Sequence, residues 1–272
     1  MTVSVARLTD QLRRLGVASG EMLMVHASMR RVGTIDGGAM GVVSAVDAAV
    51  GQEGTWMMTL GAIDEWSWVN ERPEHERSAL LAGSPVFDAL TVPADPDIGV
   101  LAEVFRTAPG TFVSDHPEGR FGARGRDAEW LVADVPWDDY YGAGSPLERF
   151  VERGGRVLRL GADDDTVTLV HYAEFLAPLA GKTRVRRHRL VRGPDGPVVR
   201  VVDTLDDSNG IARYSGIGDD DEFAVILREF RATGHVTTGR VGGADAELFD
   251  GRALVDFAVA WIVEHAVADA GG

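Results

Sequence analysis

Three polar residues in Thr168-Leu-Val-His171-Tyr-Ala-Glu174 stand at steps of three. On a helix such steps leave neighbours about 60° apart, so a hydroxyl, an imidazole and a carboxylate share one stripe. Leu169, Val170, Tyr172, Ala173 and Phe175 surround them with mostly apolar surface. A histidine oriented by a carboxylate in such surroundings can take a proton from a substrate near neutral pH. The same pattern also suits a core histidine satisfied by its own helix, so the triplet alone does not decide.

Two loops and several acidic runs add further chemistry. The first loop is His26-Ala-Ser28-Met-Arg30-Arg31-Val32-Gly33-Thr34-Ile-Asp36-Gly37-Gly38, set between a strand and a helix. Unpaired N–H groups at a helix N-terminus attract anions, and two nearby arginines suit phosphate. It is neither a Walker loop nor a GxGxxG fingerprint, and a plain tight turn capped by Asp36 reads equally well. The second loop, Ser114-Asp-His116-Pro117-Glu-Gly-Arg120-Phe121, concentrates polar groups where loops tend to bind ligands, or is a polar surface turn. Carboxylates at Asp64-Glu65, Asp163 to Asp165, Asp203, Asp206-Asp207 and Asp219 to Glu222 would hold a polyamine if they faced one cleft. Taken singly, each run reads as a solvated face, and Asp219 to Glu222 as helix-start charge.

The elements that must position these groups read as an α/β chain. A helix over 8–15 precedes a buried strand over 21–26, a helix over 39–50 and a strand over 55–59. Residues 61–98 read as irregular, but Trp66 and Trp68 argue against disorder. Helices are expected at 99–107, 124–134, 146–153, 220–232 and 251–268, and strands at 111–114 and 157–160. Residues 183–204 alternate about Gly193-Pro-Asp-Gly196 as a hairpin. One domain over 1–272 is expected, a layered α/β sandwich with a mixed central sheet.

Composition narrows the function. A net charge of -15 disfavours a nucleic-acid binder and favours cationic partners. The chain has no cysteine, which excludes disulfides, thiolate metal sites and a cysteine nucleophile. Its histidines show no i, i+4 pairing, so no metal is expected. The first residues lack a leader pattern and no apolar run is long enough to span a membrane, so a soluble cytoplasmic protein is expected, with no membrane partner.

In this order and spacing, the chain resembles the aminoglycoside 3-N-acetyltransferase family. The resemblance is carried by Val25-His-Ala-Ser28, Val32-Gly-Thr-Ile-Asp-Gly-Gly38 and Phe105-Arg-Thr-Ala-Pro-Gly110. It continues through Ser114-Asp-His-Pro117, Gly144-Ser-Pro-Leu147, Leu160-Gly161 and Val167 to Glu174, and ends with Asp207-Ser-Asn-Gly-Ile211 and Gly239-Arg-Val-Gly242. The stretch from Gly161 to Glu174 and the Asp-Ser-Asn-Gly-Ile run look most like the type IV, apramycin-accepting branch. Many members carry asparagine where this chain has Val167, and serine where it has Arg120.

The resemblance implies a non-GNAT fold and acetyl transfer from acetyl-CoA to the 3-amino group of 2-deoxystreptamine antibiotics such as gentamicin, with resistance as the outcome. It implies His171 as the base, Glu174 as its orienting carboxylate or a holder of a second amine, and Thr168 beside the thioester or oxyanion. The co-substrate would be held by His26, Ser28, Arg31, Val32, Gly33, Thr34, Ser114 and Phe121. The cationic drug would be held by Asp64, Glu65, Tyr141, Glu174, Asp203 and Asp207. Direct attack in a ternary complex is implied, by a monomer or homodimer. Rival readings are a same-fold enzyme for another amine, a serine hydrolase on Ser28 or Ser114, and a non-catalytic drug-binding protein. The hydrolase lacks a G-x-S-x-G elbow, and a histidine and carboxylate on one stripe speak against a mere binder.

Overall fold

The computed structural model describes residues 2–62 and 64–267. The strands are β1 (Met22–Ala27), β2 (Thr55–Thr59), β3 (Phe112–Val113), β4 (Phe121–Gly125), β5 (Arg156–Leu160), β6 (Arg184–Gly193), β7 (Gly196–Leu205), β8 (Arg213–Tyr214), β9 (Thr237–Val241), β10 (Ala244–Asp250) and β11 (Ala266–Val267). The helices are α1 (Val5–Leu15), α2 (Met29–Val32), α3 (Gly38–Val50), α4 (Glu74–Leu81), α5 (Val100–Thr107), α6 (Ala128–Val132), α7 (Pro146–Glu152), α8 (Leu169–Leu176), α9 (Glu222–Ala232) and α10 (Gly251–His265).

Short apolar runs buried on both faces make the centre of the sheet. β1 pairs in parallel with β2 on one side and β5 on the other. Antiparallel strands extend each flank, giving a seven-stranded order β3-β4-β2-β1-β5-β10-β9. The mixed α/β sheet matches the expectation.

Side chains alternate between the faces of a strand. Met22, Met24, Met57 and Val157 enter a core shared with α6 to α10. Leu23, Val25, Met58 and Leu158 enter the other core, with α1, α3 and α5. The same alternation turns His26, Thr59 and Arg159 toward the α8 side. These three lie near the carboxyl ends of their strands, where open α/β sheets place ligands.

Several local expectations differ. The helix expected over 124–134 begins with β4, and only α6 is helical there. Phe121, Gly122 and Ala123 are buried against β2, and a Cβ on Gly122 would come within 2.9 Å of the Phe105 ring. Helix α3 is preceded by Gly37 at φ 76° with no side-chain cap, so Asp36 is not its cap. The 61–98 stretch contains α4 and two 3-10 turns, Ser67–Glu71 and Pro96–Ile98. Strands β9 and β10 were not expected; in β9, Thr237, Thr238 and Gly239 leave little apolar alternation to read. Residue 268 of the expected last helix lies outside the described residues. The 183–204 hairpin forms as β6 and β7, in a separate two-stranded sheet. No helix among the described residues is long and apolar enough to cross a membrane.

Candidate active site

Thr168 stands at the N-terminal boundary of α8, which carries His171 and Glu174 over the sheet. His171 Nδ1 lies 2.8 Å from Glu174 Oε2. The Tyr141 ring stacks on the imidazole at 4.9 Å and 11°, and Phe223 meets it edge-on at 4.7 Å. These contacts fix the ring plane and commit Nδ1 to the carboxylate, leaving Nε2 for a substrate. The His171 side chain keeps 17% of its surface exposed while Glu174 keeps 3%, so the imidazole is the more accessible of the pair.

Burial alone would lower the His171 pKa. The Glu174 hydrogen bond and charge, with the charges of Asp207 and Glu222, outweigh it and raise the pKa above its ordinary value. An NMR titration of the His171 ring checks this balance. In Glu174→Gln the desolvation remains while the main opposing charge is gone, so the pKa falls. An unmoved pKa would mean that Glu174 does not set it.

His171 borders two cavities. The larger, of about 520 Å³, is also lined by His26, Ser28, Thr59, Tyr141 and Thr168. Thr59 and Thr168, both in its wall, are hydrogen-bonded to each other through Oγ1 and Oγ1 at 3.0 Å. The smaller, of about 240 Å³, is lined by Asp165, Glu174, Asp206, Asp207, Asp221 and Glu222. Burial first, and then the charges of Asp221 and Glu174, raise the Glu222 pKa against the opposing pull of a backbone hydrogen bond and of His171.

The other expected site residues are placed variously. His26 and Ser28 reach the larger cavity; Val32 is buried in the core, and Gly33 and Thr34 lie on the surface. Arg31 turns away to Gly161 O at 2.6 Å and Asp163 Oδ1 at 2.5 Å. Ser114 Oγ accepts from Phe121 N at 2.8 Å and donates to Gly119 O at 3.1 Å, so its hydroxyl is used internally. Phe121 is fully buried, with its ring edge-on to Tyr141 at 5.9 Å.

Among the acidic candidates, Glu174 and Asp207 line the smaller cavity. Asp207 is already held by Tyr140 and by Arg187 Nη2 at 2.6 Å. Asp203 pairs with Arg184 on the hairpin at 2.7 Å. Asp64 and Glu65 line a separate cavity of about 360 Å³, where Asp64 is paired with Arg189.

Sequence reasoning set Glu222 aside as helix-start charge and did not single out Thr59. Its usable signal was position, at the carboxyl end of a strand beside β1.

Fold and site together define an α/β enzyme with a carboxylate-oriented histidine between two cavities. The profile of the aminoglycoside 3-N-acetyltransferase family matches residues 24–263. Aminoglycoside N(3)-acetyltransferase VII of Streptomyces paromomycinus is 38% identical over 265 residues, covering 96% of this chain and 92% of its own. The solved AAC-IIIb, described as binary with CoASH, superposes with a TM-score of 0.90 at 35% identity, over 99% of this chain and 100% of that one. Sisomicin-bound AAC-VIa does so with a TM-score of 0.90 at 34% identity, over 98% and 100%. The chain belongs to the aminoglycoside 3-N-acetyltransferase family and is an acyltransferase. Other relatives bear the type VIII and type III names, so the resemblance extends to the family and does not single out the type IV branch.

Proposed function

We propose that this protein transfers the acetyl group of acetyl-CoA to the 3-amino group of a 2-deoxystreptamine aminoglycoside in the cytoplasm, conferring resistance. The observation that carries this reading is the position of His171, bordering the larger cavity and the acidic one at once. The thioester arm enters the larger cavity past Ser28 and lies beside Thr59 and Thr168. The polycation enters the acidic cavity, where ammonium groups make charge-assisted hydrogen bonds with Glu222, Asp165 and their neighbours.

An ammonium nitrogen has no lone pair to attack with. His171 Nε2 removes the proton from the 3-ammonium group, and Glu174 stabilises the imidazolium through Nδ1. The freed amine attacks the thioester carbon, the C–S bond breaks, the CoA thiolate takes up the proton held by the His171 imidazolium, and the nitrogen loses its second proton to solvent, leaving a neutral amide and free thiol. A raised His171 pKa leaves less neutral base in the free enzyme, but a bound polycation repels the imidazolium and lowers it again. The acetyl group passes directly between substrates in a ternary complex.

The test is release of free thiol from acetyl-CoA with apramycin, gentamicin and neomycin, with the acetylated nitrogen mapped by NMR. Turnover with the acetyl group on N3 is expected. No turnover with any of the three would remove the antibiotic reading and direct the search to other amines. Apramycin as an efficient substrate would add the type IV character.

A further inference from the structure

The strand alternation places His26, Thr59 and Arg159 on the α8 side of the sheet. His26 lines the larger cavity with Thr59, Thr168 and His171, and nine-tenths of its surface is buried. Its Nε2 is buried and has no hydrogen-bond partner among the described residues. A buried polar atom in a native structure normally has a partner, and one left without a partner in a cavity wall calls for an explanation, of which a catalytic role is one. We propose that His26 is a second histidine of the reaction, whose Nε2–H donates a hydrogen bond to the carbonyl oxygen of the bound acetyl thioester. This rests on the acetyl-transfer reading above.

The surroundings of His26 favour a donor and disfavour a base. Arg159 is its register partner on β5, buried to 2% exposure and held by Glu247, by the Asp163 carbonyl at 2.8 Å and by Asp164 at 3.2 Å. Burial first, and then the Arg159 charge, push the His26 pKa down to about 3. A ring that stays neutral cannot take the proton from an ammonium group, which falls to His171. It can still donate. As the amine attacks, the carbonyl oxygen gains negative charge, the Nε2–H bond strengthens, and the N–H proton stays on nitrogen. Preorganised donors of this kind act most strongly on the charge that develops in the transition state. When the tetrahedral centre collapses, the C–S bond breaks and the oxygen returns to a carbonyl.

The test has a spectroscopic arm and a kinetic arm. In the wild-type protein with 15N-labelled histidine, the His26 ring is expected to keep one neutral tautomer between pH 5 and 9 while His171 titrates. Its Nε2–H proton is expected to shift when a ketone analogue of acetyl-CoA binds, with methylene in place of the thioester sulfur, and much less with CoASH, which lacks the carbonyl. Equal shifts with both ligands, or a His26 ring that titrates in this range, would overturn the proposal. Calorimetry of the two ligands separates the levels: if neither binds, the acetyl-transfer reading fails and the inference falls with it. In the kinetic arm, His26→Ala is expected to lower kcat by about 10²–10³-fold, as for loss of one oxyanion donor. Its KM for acetyl-CoA and the acid limb of its pH profile are expected to stay near wild type. His26→Gln, which keeps an N–H donor, is expected to recover most of the loss. Raised KM with unchanged kcat in both variants would reduce His26 to a wall of the cavity.

Discussion

Replacing His171 with alanine lowers kcat for aminoglycoside acetylation by about 10²–10⁴-fold, the usual cost of losing a general base. On the proposed mechanism the effect falls on kcat, because the imidazole acts on the proton while binding is spread over the acidic cavity and the Ser28 side. Calorimetric affinities for drug and for CoASH therefore stay within a few-fold of wild type. The substitution also removes a ring stacked on Tyr141 and edge-on to Phe223. His171→Asn, which keeps a planar polar group in that slot, separates packing from chemistry and is expected to be as slow. The acid limb of the wild-type pH profile, set by a base whose pKa is raised by Glu174, disappears in both variants. A kcat within tenfold of wild type would move the base elsewhere. His26 would be a poor replacement, since burial and Arg159 hold its pKa near 3.

How much of this was legible in the sequence depended on how local each signal was. The Thr168, His171 and Glu174 stripe needs only helical periodicity, and the helix forms with His171 and Glu174 at 2.8 Å. The β6–β7 hairpin needs only its Gly-Pro-Asp-Gly turn and ten-residue alternation. The cavities were not legible, because they depend on which distant segments the sheet brings together. Glu222 on α9 reaches the His171 region only through tertiary packing, and its sequence neighbourhood reads as ordinary helix-start charge. Asp203 and Asp64 have the right chemistry, but the fold gives each an arginine, Arg184 and Arg189, that sequence spacing cannot foresee. Strand β4 was missed for a related reason: a glycine that weakens a strand pattern is there to admit the Phe105 ring.

Arg120 carries the second large effect, on stability. It reads in the sequence as one of several loop arginines, yet its side chain is fully buried. Its guanidinium donates to the carbonyls of Gly61 at 3.0 Å, Pro93 at 2.9 Å, Ala89 at 2.6 Å and Val92 at 2.6 Å. Those carbonyls belong to the start and the end of the long 61–98 excursion, so one side chain closes it onto the sheet. Burial first, and then the nearby Arg106 charge, push the Arg120 pKa down to about 10, so the group stays charged at neutral pH. The carbonyls replace the water its two terminal nitrogens gave up, while Nε has no partner among the described residues. Arg120→Ala leaves them facing a void, and the cost is about 3–5 kcal/mol, comparable to breaking a buried charge pair. Arg120→Lys recovers only part, since one ammonium cannot reproduce a planar fork that spans four acceptors. Urea unfolding reads the stability, and hydrogen exchange reads where it is lost. Protection is expected to fall first in 61–98, whose far end leads into Asp97, Ile98, Gly99 and Val100 on the wall of the larger cavity. KM for acetyl-CoA should then rise more than kcat falls, the opposite of the His171 signature. Unchanged stability and unchanged exchange in Arg120→Ala would show that the excursion is held by its own packing, and that the four carbonyls find other donors.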